Sequence, residues 1–260
     1  MARHRARSSD RIRRCHPDRC ATARVTSTHG RDQVSEAPSG QHAPAAHHRP
    51  YRRFAAGVAA AAVVVAVSWV MVKRPLVPWP EAATFRWVNH GPAALWPLLW
   101  PVMQLGNLAA PLAVAGLAGV AWRRWRPVTA VLTGAYAAWA LAQIVKQAVA
   151  RGRPDVLLPG VVLREGTHGL GFVSGHAAVA AAMTTAVWPY LGRRGRAATV
   201  TLCALVAAGR VFAGAHLPLD VVGGVAIGMA AGLIVNGLLG VPHPTRRRDA
   251  APPSPSRPAP

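Results

Sequence analysis

The sequence predicts an all-α membrane protein, a bundle of six transmembrane helices. Three observations carry this. Of the 260 residues, 52% are hydrophobic and only 15% are charged. The apolar residues gather into six runs of about the length that crosses a bilayer. The formal net charge of +21 falls in the first 53 residues, in short clusters between the runs, and near the C-terminus. Arginine clusters flanking apolar runs set membrane topology. A soluble nucleic-acid-binding domain would instead set a basic face against an apolar core, so no nucleic acid is expected as a partner.

Residues 1–50 are rich in Arg, His, Ser, Pro and Ala and lack apolar periodicity. Such a segment buries too little surface to offset its ordering entropy and is expected to be a disordered, basic cytoplasmic tail. It lacks the apolar core of a signal peptide. Cys15, Cys20 and Cys203 imply no disulfide framework, and Cys15, His16 and Cys20 match no zinc spacing.

The membrane domain is expected over 51–241. Its first run, 54–72, follows Arg52 and Arg53. Residues 73–101 mix Pro, Trp and charge, Glu81 among them, and read as a loop with interfacial segments. Trp79, Trp87, Trp96 and Trp100 suit anchors at the lipid–water boundary. The second run, 102–121, contains Pro111 as a kink and ends in Arg123, Arg124 and Arg126. The third, 128–148, carries Lys146, one of only two lysines in the chain. A polar loop follows over 149–173. The fourth run is 174–191, trailed by Arg193, Arg194 and Arg196; the fifth is 197–213 and the sixth 217–240. Residues 242–260, with Arg246 to Arg248 and many prolines, read as a second disordered cytoplasmic tail.

Six spans place both termini on one side, together with the arginine clusters at 123–126, 193–196 and 246–248. The charge rule makes that side cytoplasmic. Lys146, Arg153 and Arg210 then lie outside, against the rule, so something other than topology holds cations there. In the sixth run Asp220, Gly224, Gly228, Gly232 and Asn236 recur every fourth residue. Small residues at this spacing let helices approach closely, so this face is expected to point into the bundle.

Three polar segments fall at the outer ends of the runs: 146–154, 173–176 and 210–220. Lys146, Arg153 and Arg210 supply positive charge for a phosphate, which arginine can hold with two bonds. Ser174 and the N–H groups of a helix start make an anion site. His216 precedes Asp220 by four residues, and both share a face if 216–220 opens a helix. A carboxylate there accepts the imidazole N–H and makes the other ring nitrogen a better nucleophile. His176 is a second imidazole, able to protonate a leaving oxygen. Asp220 reads as the sole acid in or beside the runs, so no carboxylate cluster exists to hold a metal, and no cofactor is expected. Arg151 reads as surface charge or a headgroup contact.

Taken in order, Lys146-x6-Arg153-Pro154, Val173-Ser174-Gly175-His176 and Gly209-Arg210-x5-His216-x3-Asp220 resemble one known signature. It is that of the type 2 phosphatidic acid phosphatase (PAP2) superfamily of integral membrane lipid phosphatases: Lys-x6-Arg-Pro, Pro-Ser-Gly-His, Ser-Arg-x5-His-x3-Asp. Val173 stands in place of Pro and Gly209 in place of Ser. The resemblance covers about 54–240. It implies a six-helix membrane fold with the active site at the extracytoplasmic helix ends, and metal-independent hydrolysis of a lipid phosphomonoester or diphosphate. It implies that His216 attacks phosphorus, Asp220 orients it, and His176 protonates the leaving group and later activates water. Lys146, Arg153, Ser174, Gly175 and Arg210 would hold the phosphoryl oxygens. Phosphatidate, phosphatidylglycerophosphate and polyprenyl diphosphate all suit as substrates, with membrane lipids as the other partners. The alternatives are phosphotransfer to a lipid alcohol and a non-catalytic lipid-phosphate binder or transporter. A soluble vanadium haloperoxidase shares the anion pocket, but the membrane runs argue against it.

Overall fold

A computed structural model describes residues 49–74, 76–166 and 168–241. The expected tail at 1–50, except for residues 49 and 50, which open the first helix, and the expected tail at 242–260 lie outside the described residues, and with them Cys15, Cys20 and the last arginine cluster. Among the described residues the fold is all helical, with nine α-helices. In chain order these are α1 (Arg49–Val72), α2 (Trp79–Asn89), α3 (Trp96–Met103), α4 (Ala110–Trp122), α5 (Trp125–Val149), α6 (Pro154–Leu157), α7 (Gly175–Val187), α8 (Arg193–Phe212) and α9 (Pro218–Leu238).

Helix ends follow local chemistry. Asn107 Oδ1 accepts from the N–H groups of Ala109 and Ala110, each at 2.9 Å, which caps α4. Ser174 precedes α7, and its hydroxyl oxygen accepts from the Ala177 N–H at 3.5 Å. Asp220, in the first turn of α9, accepts from the Leu217 N–H at 2.9 Å.

Two expectations need correction. The stretch 73–101 is not loop alone: α2 forms within it, with Pro80 in its first turn, where a missing N–H costs nothing. The second run is broken, since residues 93–106 and 110–122 meet at 74° across a gap just before Pro111. By length and apolarity four helices among the described residues can cross a membrane, or five if that bent pair counts as one span. Helix α7 falls short. Its 13 residues rise about 20 Å, against roughly 30 Å of hydrocarbon.

Helix α9 lies at the centre. A Cβ on Gly232 would meet Thr185 Cβ at 2.7 Å, and one on Gly224 or Gly228 would collide with the carbonyl oxygens of Ser174 and Ala178. The stripe of small residues is thus the seam against α7. Helix α5 crosses on another side, where Gly134 faces Gly232, and α1 packs through Gly57 against Leu233.

This packing sorts the helix ends. Val72, Val145, Val149, Phe172 and Val173 share one core cluster at one end of the bundle. At the other end Trp122 stacks with Tyr190 at 5.3 Å between ring centroids, and Arg196 lies over Trp188.

Candidate active site

The α7–α9 seam brings the Ser174 N–H to the Asp220 carbonyl, at 2.8 Å. That bond joins the start of the Ser-Gly-His segment to the His-Asp segment. The loop before α7 crosses the same place. Gly171 donates to the Arg151 carbonyl at 2.8 Å, and a Cβ on it would meet Gly152 O at 2.6 Å.

His216 is 2% exposed and Asp220 fully buried. Helix α9 begins at Pro218, so His216 precedes the helix rather than opening it. The carboxylate still faces the imidazole, with Nδ1 3.6 Å from Asp220 Oδ2. That is longer than a hydrogen bond, and His216 Nδ1 has no other partner among the described residues. Catalytic hydrogen bonds are often long before substrate arrives. Burial pushes the His216 imidazole down to about 4. The nearby Asp220 carboxylate opposes that fall, and Arg210 and Arg153 deepen it. The ring is neutral at neutral pH, as a nucleophile requires.

The phosphate-binding candidates surround this pair. Arg153 gives Nη1 to the Ala215 carbonyl at 2.8 Å, and Nε and Nη2 to the carbonyls of His168 and Gly169. Arg210 is 5% exposed, bonds Glu165 Oε1 through Nη1, and keeps Nε free of any hydrogen bond among the described residues. Half-buried Lys146 lies within electrostatic reach of Arg153, Asp220 and Arg210. Half-buried His176 lies within reach of Arg210, His216, Lys146 and Arg153. The structure therefore gathers Lys146, Arg153, Ser174, Gly175, His176, Arg210, His216 and Asp220 at one end of the bundle.

Sequence reasoning missed three charged partners. Arg151 is not surface charge: it is 7% exposed and lies between two carboxylates. Nor is Asp220 the sole acid in the helices. Glu81 is buried on α2 and Asp155 sits in α6. Glu165, 27% exposed at its side chain, occupies Arg210. One signal was available for Glu81: a carboxylate within an apolar, Trp-rich stretch is costly and so suspect. Arg164 braces the Glu165 loop, bonding the carbonyls of Asn89, Gly91 and Phe212. Among the described residues no group of three or more His, Cys, Asp or Glu side chains could hold a metal ion.

This geometry can be set against known proteins. The family model of the PAP2 superfamily matches residues 100–240. The chain belongs to the PAP2 superfamily. It is 34% identical over 191 residues to decaprenylphosphoryl-5-phosphoribose phosphatase of Mycobacterium tuberculosis, covering 72% of this chain and 94% of that one. Among solved structures it is similar to LpxE of Aquifex aeolicus, with a TM-score of 0.57 and 24% identity over 60% of this chain and 94% of that one. It is also similar to a transmembrane PAP2-type phosphatidylglycerolphosphate phosphatase of Bacillus subtilis. There the TM-score is 0.62 and the identity 18%, over 74% of this chain and 99% of that one. The chain is thus a multi-pass PAP2 membrane phosphatase, a phosphoric ester hydrolase whose substrates are lipid phosphates.

Proposed function

We propose that this PAP2 phosphatase hydrolyses a lipid phosphomonoester through a phosphohistidine, without a metal. The first candidate substrate is a polyprenyl-phosphoryl sugar phosphate of the kind its mycobacterial relative is named for. One observation carries the reading: buried His216 faces Asp220, with Arg153 and Arg210 within electrostatic reach of the imidazole and Lys146 within reach of Asp220.

In the first step His216 Nε2 attacks phosphorus and keeps its Nδ1–H, which points at Asp220, whose carboxylate offsets the charge that grows on the ring until water frees it. The bond to the leaving oxygen breaks, and His176 protonates that oxygen. In the second step His176 takes a proton from water, whose oxygen attacks the phosphohistidine and frees His216. Lys146, Arg153 and Arg210 offset the charge that grows on the phosphoryl oxygens. The Ser174 hydroxyl and the Gly175 N–H, in the first turn of α7, add hydrogen bonds. The Ser174 N–H is already spent on Asp220. Glu165 bonds Nη1 of Arg210, so a phosphate that uses this nitrogen takes the place of that carboxylate.

The reading includes a topology. The six-helix domain spans 51–241 and is flanked by cytoplasmic tails. The broken pair α3–α4 and the short α7 complete the spans, and the site faces outward. Support comes from the arginine clusters of α5 and α8, which begin at the end opposite the site. Cysteine in place of exposed His168, with Cys15, Cys20 and Cys203 removed, should react with an impermeant thiol reagent in intact cells. Labelling only after lysis would reverse the orientation.

Activity is tested by phosphate release in detergent from a panel of polyprenyl-phosphoryl sugar phosphate, phosphatidate, phosphatidylglycerophosphate and polyprenyl diphosphate, with EDTA present. The polyprenyl sugar phosphate should give the highest kcat/KM. Release that EDTA abolishes and magnesium restores would overturn the metal-free mechanism.

A further inference from the structure

We propose that Arg151, fixed in place by Glu81, is a positioning residue for the His216–Asp220 pair. It grips one oxygen of Asp220 so that the other is presented to the imidazole. The inference rests on the proposed roles of His216 and Asp220.

The geometry is specific. Arg151 Nη2 meets Glu81 Oε2 at 2.7 Å, and Nη1 is shared between Glu81 Oε1 at 3.0 Å and Asp220 Oδ1 at 2.8 Å. The Leu219 N–H donates to Glu81 Oε1 at 3.1 Å, which ties α2 to the first turn of α9. The second oxygen of Asp220 accepts from the Leu217 N–H at 2.9 Å and stands 3.6 Å from His216 Nδ1. Both oxygens are held, so the carboxylate plane cannot turn without breaking a bond. Arg151 is held in turn by the two-bond contact with Glu81, a geometry that arginine alone supports.

Burying three charged groups is costly, and an apolar cluster would hold the helices as well or better. What an apolar cluster could not do is fix a carboxylate. Arg151 also differs from the other arginines at this end. Arg153 and Arg210 face the phosphate side, whereas Arg151 lies behind Asp220 and reaches the reaction only through it. Its positive charge draws on the same carboxylate that supports His216.

The test replaces the pair and reads kinetics in the full-length protein. Glu81→Leu/Arg151→Leu removes both charges together, so the local net charge is unchanged, and leaves Asp220 Oδ1 and the Leu219 N–H without these partners. With Asp220 Oδ1 unheld, kcat on an aryl phosphate should fall about 10–100-fold, as when orienting partners behind a site are lost. KM should stay within about threefold, because nothing that binds phosphate has changed. The acid limb of kcat/KM should move to higher pH, since the charge of Asp220 then acts on His216 alone. The other groups facing His216 stay the same in every variant: Arg210 from α8, Arg153 before α6, His176 on α7 and Lys146 on α5. Glu165, on Arg210, is unchanged too.

Arg151→Lys keeps the charge but loses the fork. It should give an intermediate kcat with the acid limb unmoved, and it serves if the double variant fails to fold. Wild-type kcat and pH profile in either folded variant would overturn the proposal. So would a fall in folded yield or melting temperature with kinetics unchanged, which is what a merely structural ion pair predicts. His216→Ala is measured beside them. If it turns over normally, the nucleophile assignment fails and takes the clamp with it. If it is inactive while the double variant is wild-type, the clamp alone fails.

Discussion

Asp220 and Arg210 stand at the same end of the bundle, on helices joined by one short link, yet their surroundings differ. Both oxygens of Asp220 are bonded, by the Arg151 guanidinium and the Leu217 N–H, and the residue is fully buried. Arg210 has an Nε unpaired among the described residues, and its ion partner is Glu165, on the loop between α6 and α7. Arg153 resembles Arg210, since its guanidinium is spent on carbonyls of that loop and of the α8–α9 link. On the proposed roles, the half assigned to chemistry is set before substrate comes. The half assigned to phosphate is held by partners that phosphate would replace.

That contrast can be broken most severely at the seam. Gly228→Leu drives a side chain into the Ala178 carbonyl of α7. Overpacking of this kind costs about 1–3 kcal/mol or more, and here it parts the two helices that carry Ser174 and Asp220. Folded yield and activity in detergent should both collapse. Gly192→Ala, where a Cβ meets open space, should be neutral. A well-folded, active Gly228→Leu protein would show that the seam does not set the site.

Within an intact seam the two histidines should separate. His216→Ala should form no phosphoenzyme with any substrate. His176→Ala should lose about 10²–10⁴-fold on a lipid substrate, whose alkoxide needs a proton. On an aryl phosphate, whose phenolate leaves unaided, the same variant should accumulate an acid-labile phosphohistidine. Mass spectrometry after a rapid non-acidic quench checks this. Phosphate found on His176 would falsify the assignment.

The buried half should also announce itself in pH. His216 is held down to about 4, below its ordinary value near 6.5. The unfolded chain therefore takes up a proton between those values while the folded chain does not. The stability from burying a neutral ring is complete above about pH 6.5 and is lost as pH falls toward 4. Thermal melts between pH 7 and pH 4.5 should decline less steeply for His216→Gln than for the wild type. Parallel declines would remove burial of His216 as the cause.

The smallest effect belongs to the replaceable half. Glu165→Gln removes the carboxylate that competes with phosphate for Arg210. A partly exposed ion pair of this kind is worth about 0.2–1 kcal/mol, so vanadate or inorganic phosphate should bind up to about fivefold more tightly. Weaker binding would mean that Glu165 assists the anion instead.

Legibility in the sequence followed the same division. The segments that carry the site are short and local, so spacing alone brought out Lys146 to Pro154, Ser174 to His176 and Arg210 to Asp220. The four-residue stripe on α9 was legible too, because a helix seam writes its period into one strand of sequence. Helix α2 was not: Trp79–Asn89 mixes Glu, Arg and Asn with apolar residues and opens on Pro, so no run stands out. The break before Pro111 depends on α3 turning to pack on α8, which local composition does not record. Arg151 and Glu81 lie 70 residues apart. Nothing in the spacing around either one points to the other, and only the fold makes them neighbours.

The occupied state of Arg153 and Arg210 bears on turnover. On the proposed reading, a phosphate that takes over Arg153 and the Nη1 of Arg210 displaces carbonyls and a carboxylate, so those contacts are exchanges, and exchanges of hydrogen bonds leave a small net gain. A phosphatase makes inorganic phosphate in the pocket that grips its substrate. If that grip were new contact from the start, the product would stay and block the next cycle. On the proposed roles, the loop carbonyls and Glu165 would reclaim both arginines once the lipid alcohol has gone, and their return would help to expel what the reaction leaves behind.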